Sequence, residues 1–155
     1  MTPRTVVFAK APVPGQVKTR LISALGADGA AALAQRMLAH SLAQATAAHL
    51  GPVELCVSPD PKSATWQPWR SVHPGAWSAQ GEGDLGQRMA RAAQRVLAAG
   101  ESLLLIGTDC PSLTAPTLRE AARALHQHDA CLIPALDGRQ AVAHPTRLRT
   151  DAGIL

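Results

Sequence analysis

The sequence predicts an α/β fold of three layers, with a mostly parallel sheet between helices on both faces. Three observations predict it. Short apolar runs alternate with stretches of ten or more residues at helical spacing, the pattern of βαβ units. The runs are apolar throughout rather than alternating with polar residues, as in Thr5-Val6-Val7-Phe8-Ala9 and Leu103-Leu104-Leu105-Ile106, so both faces of the sheet are covered. The composition is 46% hydrophobic but only 3% aromatic, which dictates a core of Ala, Leu and Val and suits close helix-on-sheet packing.

Taken in order, residues 4–9 read as a buried strand. Residues 28–49 are alanine-rich with apolar positions at helical spacing, and Gly51 and Pro52 stop that helix. Residues 53–58 are a second strand. Residues 59–76 form an irregular connection, with Trp66, Trp69 and Trp77 pinning it to the sheet, and residues 77–80 are a short strand. Asp84 caps a helix that runs to about Ala99 and is closed by Gly100. Residues 102–107 are the most apolar strand. Thr114 caps a helix through about His126, with Pro116 in its first turn, and residues 130–135 make one more strand.

The 155 residues fit one domain. The net charge of +4 and pI of ≈ 9.5 come largely from arginines spread over helices. No block of like charge and no comb of cations and aromatics is present, so nucleic acid is not an expected partner. A small anionic substrate fits the balance. Cys56, Cys110 and Cys131 are an odd number without metal-ligand spacing. Cys56 and Cys131 lie in apolar runs and read as buried free thiols, which fits a cytoplasmic protein. The first residues lack the apolar run of a signal peptide, and no stretch approaches the ~20 apolar residues of a membrane span.

Ligands of open parallel sheets bind at the carboxyl ends of the strands. That rule puts the loops after residues 9, 80, 107 and 135 along one edge. The first loop carries three cations, Lys10, Lys18 and Arg20, with Gly15 to let backbone approach a ligand and Pro12 and Pro14 to stiffen it. A strand feeding a helix through such a loop can hold phosphate, although a solvated basic loop would read the same. It is not a Walker A loop, because Val17 stands before Lys18 where glycine is required.

Asp109 follows the most apolar strand, where a carboxylate can hold Mg²⁺ or simply organise the turn before Pro111. Asp137 follows the last strand and precedes Gly138, so it either shares the metal or serves the turn. Gly81, Gly83 and Gly86 have dinucleotide-loop spacing, but they follow a short strand while the first strand carries the basic loop, which argues against a dinucleotide-binding dehydrogenase. No histidine forms a metal or catalytic pair, and neither Ser112 nor Cys110 has a base nearby.

Three separated stretches, residues 8–21, residues 83–89 and residues 106–111, resemble the DUF2064 type of bacterial glycosyltransferase-like proteins. In this chain they read Phe8-Ala9-Lys10-x-Pro12-x-Pro14-Gly15-x-Val17-Lys18-Thr19-Arg20-Leu21, Gly83-Asp84-Leu85-Gly86-x-Arg88-Met89 and Ile106-Gly107-Thr108-Asp109-Cys110-Pro111. The resemblance implies a GT-A fold of the nucleotide-diphospho-sugar transferase kind, with kinship to small guanylyltransferases. It implies that the loop from Lys10 to Arg20, including Pro14 and Gly15, binds nucleotide phosphates. Asp109 would hold the metal, Mg²⁺ or Mn²⁺, with one carboxylate where related sites have two, and Gly83 and Asp84 would lie near the nucleotide or sugar. In the family the acid at Asp137 is followed by Gly-Gly-Tyr and a further strand, whereas here Asp137-Gly138 runs into Arg139-Gln140-Ala141. The resemblance thus implies a nucleotide-binding domain over 1–138, an atypical tail over 139–155 and a truncated or frame-shifted member with an incomplete acceptor side.

The expected function is a nucleotide-dependent, glycosyltransferase-like transferase that takes a nucleotide sugar or nucleoside triphosphate with a divalent metal, catalytic acids Asp109 and Asp137 included. Nucleotidyl transfer, a non-catalytic nucleotide-binding protein and a metal-free phosphosugar binder are the alternatives. An uncovered sheet edge would admit a homo-oligomer.

Overall fold

Strand β1 (Pro3–Lys10) organises the chain. In the computed structural model, which describes residues 2–127, β1 lies between β2 (Val53–Ser58) and β4 (Ser102–Ile106), with β3 (Ala76–Ala79) outside β2. All three pairings are parallel, and Val7 stands opposite both Leu55 and Ile106.

The apolar runs have an inner alternation that burial reveals. Val7 and Ala9 pack with Leu38 and Leu42 of α1 (Ile22–Ala47) and Leu118 of α3 (Ala115–Leu125), together with Leu55 and Val57 of β2. Val6 and Phe8 face the other way, onto Ala92 and Val96 of α2 (Leu85–Ala98), beside Cys56, Leu103 and Leu105. Val6 and Val7 are fully buried, and burying such a side chain contributes about 1.5–3 kcal/mol. The three-layer α/β fold expected from the sequence is therefore present. The alanine-rich helix is present too, and its buried Ala30, Ala31, Ala34 and Ala45 let its backbone lie close to the sheet. It is preceded by a helical turn, Ile22–Leu25, that the sequence reading omitted. Gly26, at φ 73°, separates the two.

The helix caps fall where the sequence put them. Asp84 Oδ1 accepts from the Gln87 amide (2.8 Å) while Gln87 Oε1 accepts from the Asp84 amide (2.9 Å), a reciprocal capping box. Thr114 Oγ1 accepts from the Thr117 amide (3.4 Å) at the start of α3. In the irregular connection, a 3₁₀ segment at Ala64–Trp69 drives Trp66 into the core, edge-on to Trp77 with ring centroids 5.7 Å apart. The indole of Trp66 donates to the Pro59 carbonyl (3.0 Å) and that of Trp77 to the His73 carbonyl (2.9 Å). Cys56 is buried and free. The expected strand at 130–135, Cys131, Asp137 and the tail over 139–155 lie outside the described residues. Among the described residues no helix is long and apolar enough to cross a membrane.

One buried charge sits in the apolar β2. Glu54 is 3% exposed, and it accepts from Arg95 of α2, Ser78 of β3 (2.8 Å) and Arg4 of β1 (3.4 Å). Arg4 also pairs with Glu101 at 3.0 Å. Burial on its own would raise the Glu54 pKa, but the hydrogen bonds from Arg95 and Ser78 and the charges of Arg95 and Arg4 outweigh it and hold the carboxyl below its ordinary value. The same contact pushes the Arg95 guanidinium up. Because the folded pKa is the lower one, the stabilisation is complete above the ordinary value of 4.5 and is lost as the pH falls through and below it. Glu54→Gln should cost about 2 kcal/mol at pH 7. Urea midpoints taken from pH 7 down to pH 3 should show the gap between wild type and variant closing as Glu54 becomes protonated; a gap that stays constant would refute the charge-based account.

Candidate functional site

The strand order places the site. The chain steps outward from β1 to β2 and β3 and then returns to the other side of β1 for β4, so the order reverses between β1 and β4. Ligands of such sheets bind outside the carboxyl ends at that reversal. An open cleft of ≈ 690 Å³ lies there, lined by Lys10 at the end of β1, Ser58 at the end of β2, Gln80 after β3 and Gly107-Thr108-Asp109 after β4. Three of the four loops expected along this edge meet at the cleft; the fourth, after residue 135, lies outside the described residues.

The β1 loop is built by short hydrogen bonds. The Ala11 amide donates to Ser58 O (2.8 Å), and the Gln16 amide donates to Val13 O (3.0 Å) across a turn containing Pro14 and Gly15. Gly15 holds φ 81° with open space where a Cβ would stand, so glycine here serves the turn. The loop ends on Lys18, whose backbone is left-handed at φ 47°, ψ 45°. That conformation is strained for a residue with a Cβ and is of the kind that collects at ligand sites. It precedes a 3₁₀ turn at Thr19–Leu21 and sends the lysine side chain back into the cleft. There Lys18 Nζ lies 2.8 Å from Asp109 Oδ1. The Lys18 side chain is 16% exposed and that of Asp109 85%, so this pair adds little stability, and the acid remains open to a ligand.

On the opposite wall the loop before α2 is held by arginines. Arg88 Nε donates to Gly83 O (2.8 Å) and its Nη1 to Gln80 Oε1 (3.3 Å). Arg91 donates to Gln80 O (2.6 Å) and Glu82 O (2.9 Å). Gly83 has φ 105°, and a Cβ there would stand 2.5 Å from Gln87 Oε1, so a side chain would break the capping box. Gln80 is 6% exposed and donates from Nε2 to the carbonyls of Ala9 (3.0 Å) and Cys56 (3.2 Å).

Of the residues singled out from the sequence, Lys10, Lys18 and Asp109 meet at the cleft. Pro14 and Gly15 belong to the same loop and Arg20 to the 3₁₀ turn after it, none of them in the lining, and Gly83 and Asp84 stand at the start of α2, where the Asp84 carboxylate caps the helix. Asp137 lies outside the described residues. Sequence reasoning gave no role to Gln80 or to Arg88, and none to the apolar wall of Phe8, Leu85, Met89 and Leu105. A polar residue closing an apolar strand was the available signal for Gln80. Asp109 is the one carboxylate on the described lining, and among the described residues no three His, Cys, Asp or Glu side chains converge. This donor set fits a Mg²⁺ ion that keeps its waters and takes further oxygens from substrate phosphates. Among the described residues there is no cage of protein ligands alone.

The family model described as "Uncharacterized protein conserved in bacteria (DUF2064)" matches residues 41–139. The chain belongs to this family. Among solved structures it is similar to a provisionally assigned nucleotide-diphospho-sugar transferase from Desulfovibrio desulfuricans G20, at 29% identity and a TM-score of 0.78 over 88% of this chain. It is also similar to CMP:2-keto-3-deoxy-manno-octonic acid synthetase in complex with CTP, at 12% identity and a TM-score of 0.54 over 84% of this chain. That second likeness is one of fold. The chain spans 60% of the length of the first protein and 50% of the second. No curated protein matches it. The fold expected from the sequence and the DUF2064 resemblance both hold.

The strained lysine gives a stability test free of any ligand. Lys18→Ala and Lys18→Gly both delete the ion pair, but only glycine relieves the left-handed backbone. The Gly variant should be more stable than the Ala variant by about 1 kcal/mol, as read by urea denaturation. Equal stabilities would mean that position 18 is not left-handed in solution.

Proposed function

We propose that the protein is a nucleotide-dependent transferase of the glycosyltransferase-like kind. It would bind the phosphates of a nucleoside diphosphate sugar or a nucleoside triphosphate in the cleft between β1 and β4. The observation that carries this is the convergence of Lys10, Lys18 and Asp109 at the point where the strand order reverses. The likeness to the Desulfovibrio protein supports it.

Lys10 and Lys18 would set positive charge against the phosphates, and the charge that builds on the departing phosphate group would be offset there. Lys18 would exchange Asp109 for a phosphate oxygen, freeing the carboxylate. Asp109 would then hold Mg²⁺ or Mn²⁺ jointly with the phosphates, and such an ion supplies charge neutralisation and a fixed geometry. The chain's own part is positioning: a stiff loop on one wall and an arginine-braced loop on the other.

Nucleotidyl transfer is the second reading, favoured by the cations of the β1 loop, which suit a triphosphate. The two reactions differ in the bond that breaks. Glycosyl transfer cleaves the bond from the sugar anomeric carbon and releases a nucleoside diphosphate. Nucleotidyl transfer cleaves between the α- and β-phosphates and releases pyrophosphate.

Melting temperatures with nucleoside triphosphates and nucleotide sugars, each with Mg²⁺ and with EDTA, test the proposal. At a hundredfold excess over Kd the matching ligand should raise Tm by roughly 5–10 °C. The shift should need Mg²⁺ and vanish in Asp109→Ala. Analysis of the released product then separates the two transfers. A shift without product would mark a nucleotide-binding protein that does not turn over, and no shift with any ligand would overturn the proposal.

A further inference from the structure

The geometry points to His40 of α1 as a positioning residue for Asp109, with Gln44, one helical turn on, acting beside it. Asp109 has little of its own to hold it. Its side chain is 85% exposed, and among the described residues its carboxylate has one partner, Lys18 Nζ. Its place is therefore set by the backbone of the loop between β4 and α3. That loop is loosely attached where it starts. Gly107 has open space where a Cβ would stand, and among the described residues 108–112 make no backbone hydrogen bond outside the loop. The bond inside it is a turn, closed by the Leu113 amide donating to Cys110 O (3.1 Å).

The far end of the loop is gripped by α1. His40 Nε2 lies 3.0 Å from Leu113 O. A carbonyl accepts only, so Nε2 carries a proton and donates it. Among the described residues no backbone amide reaches that carbonyl. Gln44 Oε1 accepts from the Ala115 amide (2.9 Å), one of the N–H groups that the start of α3 leaves without a partner in its own helix. At helical spacing His40 and Gln44 share one face of α1, and they hold the chain on either side of the Thr114 cap. Leu113 is buried in one core with Leu38 and Leu42. Apolar packing keeps Leu113 against α1 but is not directional, whereas a donor on the carbonyl and an acceptor on the amide fix which way the loop faces.

The same helix leads back to the other half of the ion pair. It starts at Ile22, directly after the 3₁₀ turn that follows Lys18, and its Ala34 and Leu38 line the cleft. Both partners of the 2.8 Å contact between Lys18 Nζ and Asp109 Oδ1 are thus referred to α1, Lys18 through the chain and Asp109 through His40 and Gln44. The spacing matters because Mg²⁺ demands near-ideal ligand geometry, so a carboxylate on a loosened loop holds it poorly. That consequence rests on the proposed function, in which Asp109 shares a divalent ion with the substrate phosphates; the placing of Asp109 by His40 does not.

The side-chain carboxyl ¹³C signal of Asp109 in the full chain, assigned by its loss in Asp109→Asn, reports the spacing without any ligand. Lys18→Met should shift that signal in the wild-type background and in His40→Gln, whose amide nitrogen can take the place of Nε2. In His40→Leu the loop is released, and Lys18→Met should leave the signal nearly unmoved. With the nucleotide that stabilises the protein, the Mg²⁺ concentration giving half of the rise in Tm should be about tenfold higher in His40→Leu, the size of one lost hydrogen bond, and unchanged in His40→Gln. A signal that depends on Lys18 equally in His40→Leu and wild type overturns the inference, and so does a wild-type signal indifferent to Lys18→Met. An effect of His40→Leu that His40→Gln shares assigns it to packing of the ring and also overturns it. So does an unchanged Mg²⁺ requirement, which leaves His40 a part of the fold alone. If His40→Leu does not fold, Gln44→Leu against Gln44→Glu repeats the comparison through the acceptor. If no nucleotide stabilises wild type, the transferase reading fails and the carboxyl signal alone decides whether His40 places Asp109.

Discussion

Everything in this structure depends on β1 being buried on both faces. A parallel strand with neighbours on each side has no solvent-facing surface, so its side chains must be apolar in both directions and helices must cover both layers. Val6 and Val7 meet that demand by pointing to opposite layers. The same burial makes Lys10 the first β1 residue that can be charged without a partner, and it emerges beside the reversal of strand order. The cleft is thus a consequence of where the core ends.

The two helical layers are held differently. The α1 side is held by packing, from Leu38, Leu42, Leu55 and Leu118 around Trp66. The α2 side has a thinner apolar contact, Ala92 and Val96 against the sheet, and arginines at both ends of the helix complete it. Arg95 ties its far end to the buried Glu54, while Arg88 and Arg91 tie its near end to Gln80, Gly83 and Glu82. Hydrogen bonds of this kind are directional where apolar contacts are not. The wall of the cleft contributed by α2 is therefore set by angle as well as by area.

The sequence revealed the fold to the extent that local rules act. The cap at Asp84 needs only Gln87 three residues on, and the cap at Thr114 only the chain direction and Pro116. Continuous apolar runs gave β1 and β4, and the strand-end rule brought Lys10, Lys18 and Asp109 to one place. What stayed hidden depends on contacts distant in sequence. Glu54 inside Val53–Ser58 looks like a polar interruption until Arg4 and Arg95 arrive from two other elements. Gln80 looks like the end of a strand until its amide meets carbonyls of β1 and β2. The turn before Gly26 was missed because it is too short for helical spacing to register.

The backbone at Lys18 has a consequence for how this protein can change. Position 18 asks for a residue without a Cβ, while the proposed function asks for an ammonium group there. On that reading, heat resistance and ligand affinity pull on this codon in opposite directions. A lineage or a laboratory selection rewarded only for surviving heat would drift toward glycine at that position and disarm the cleft without disturbing the core. Lysine at position 18 thus combines a strained backbone with an ammonium group in the cleft.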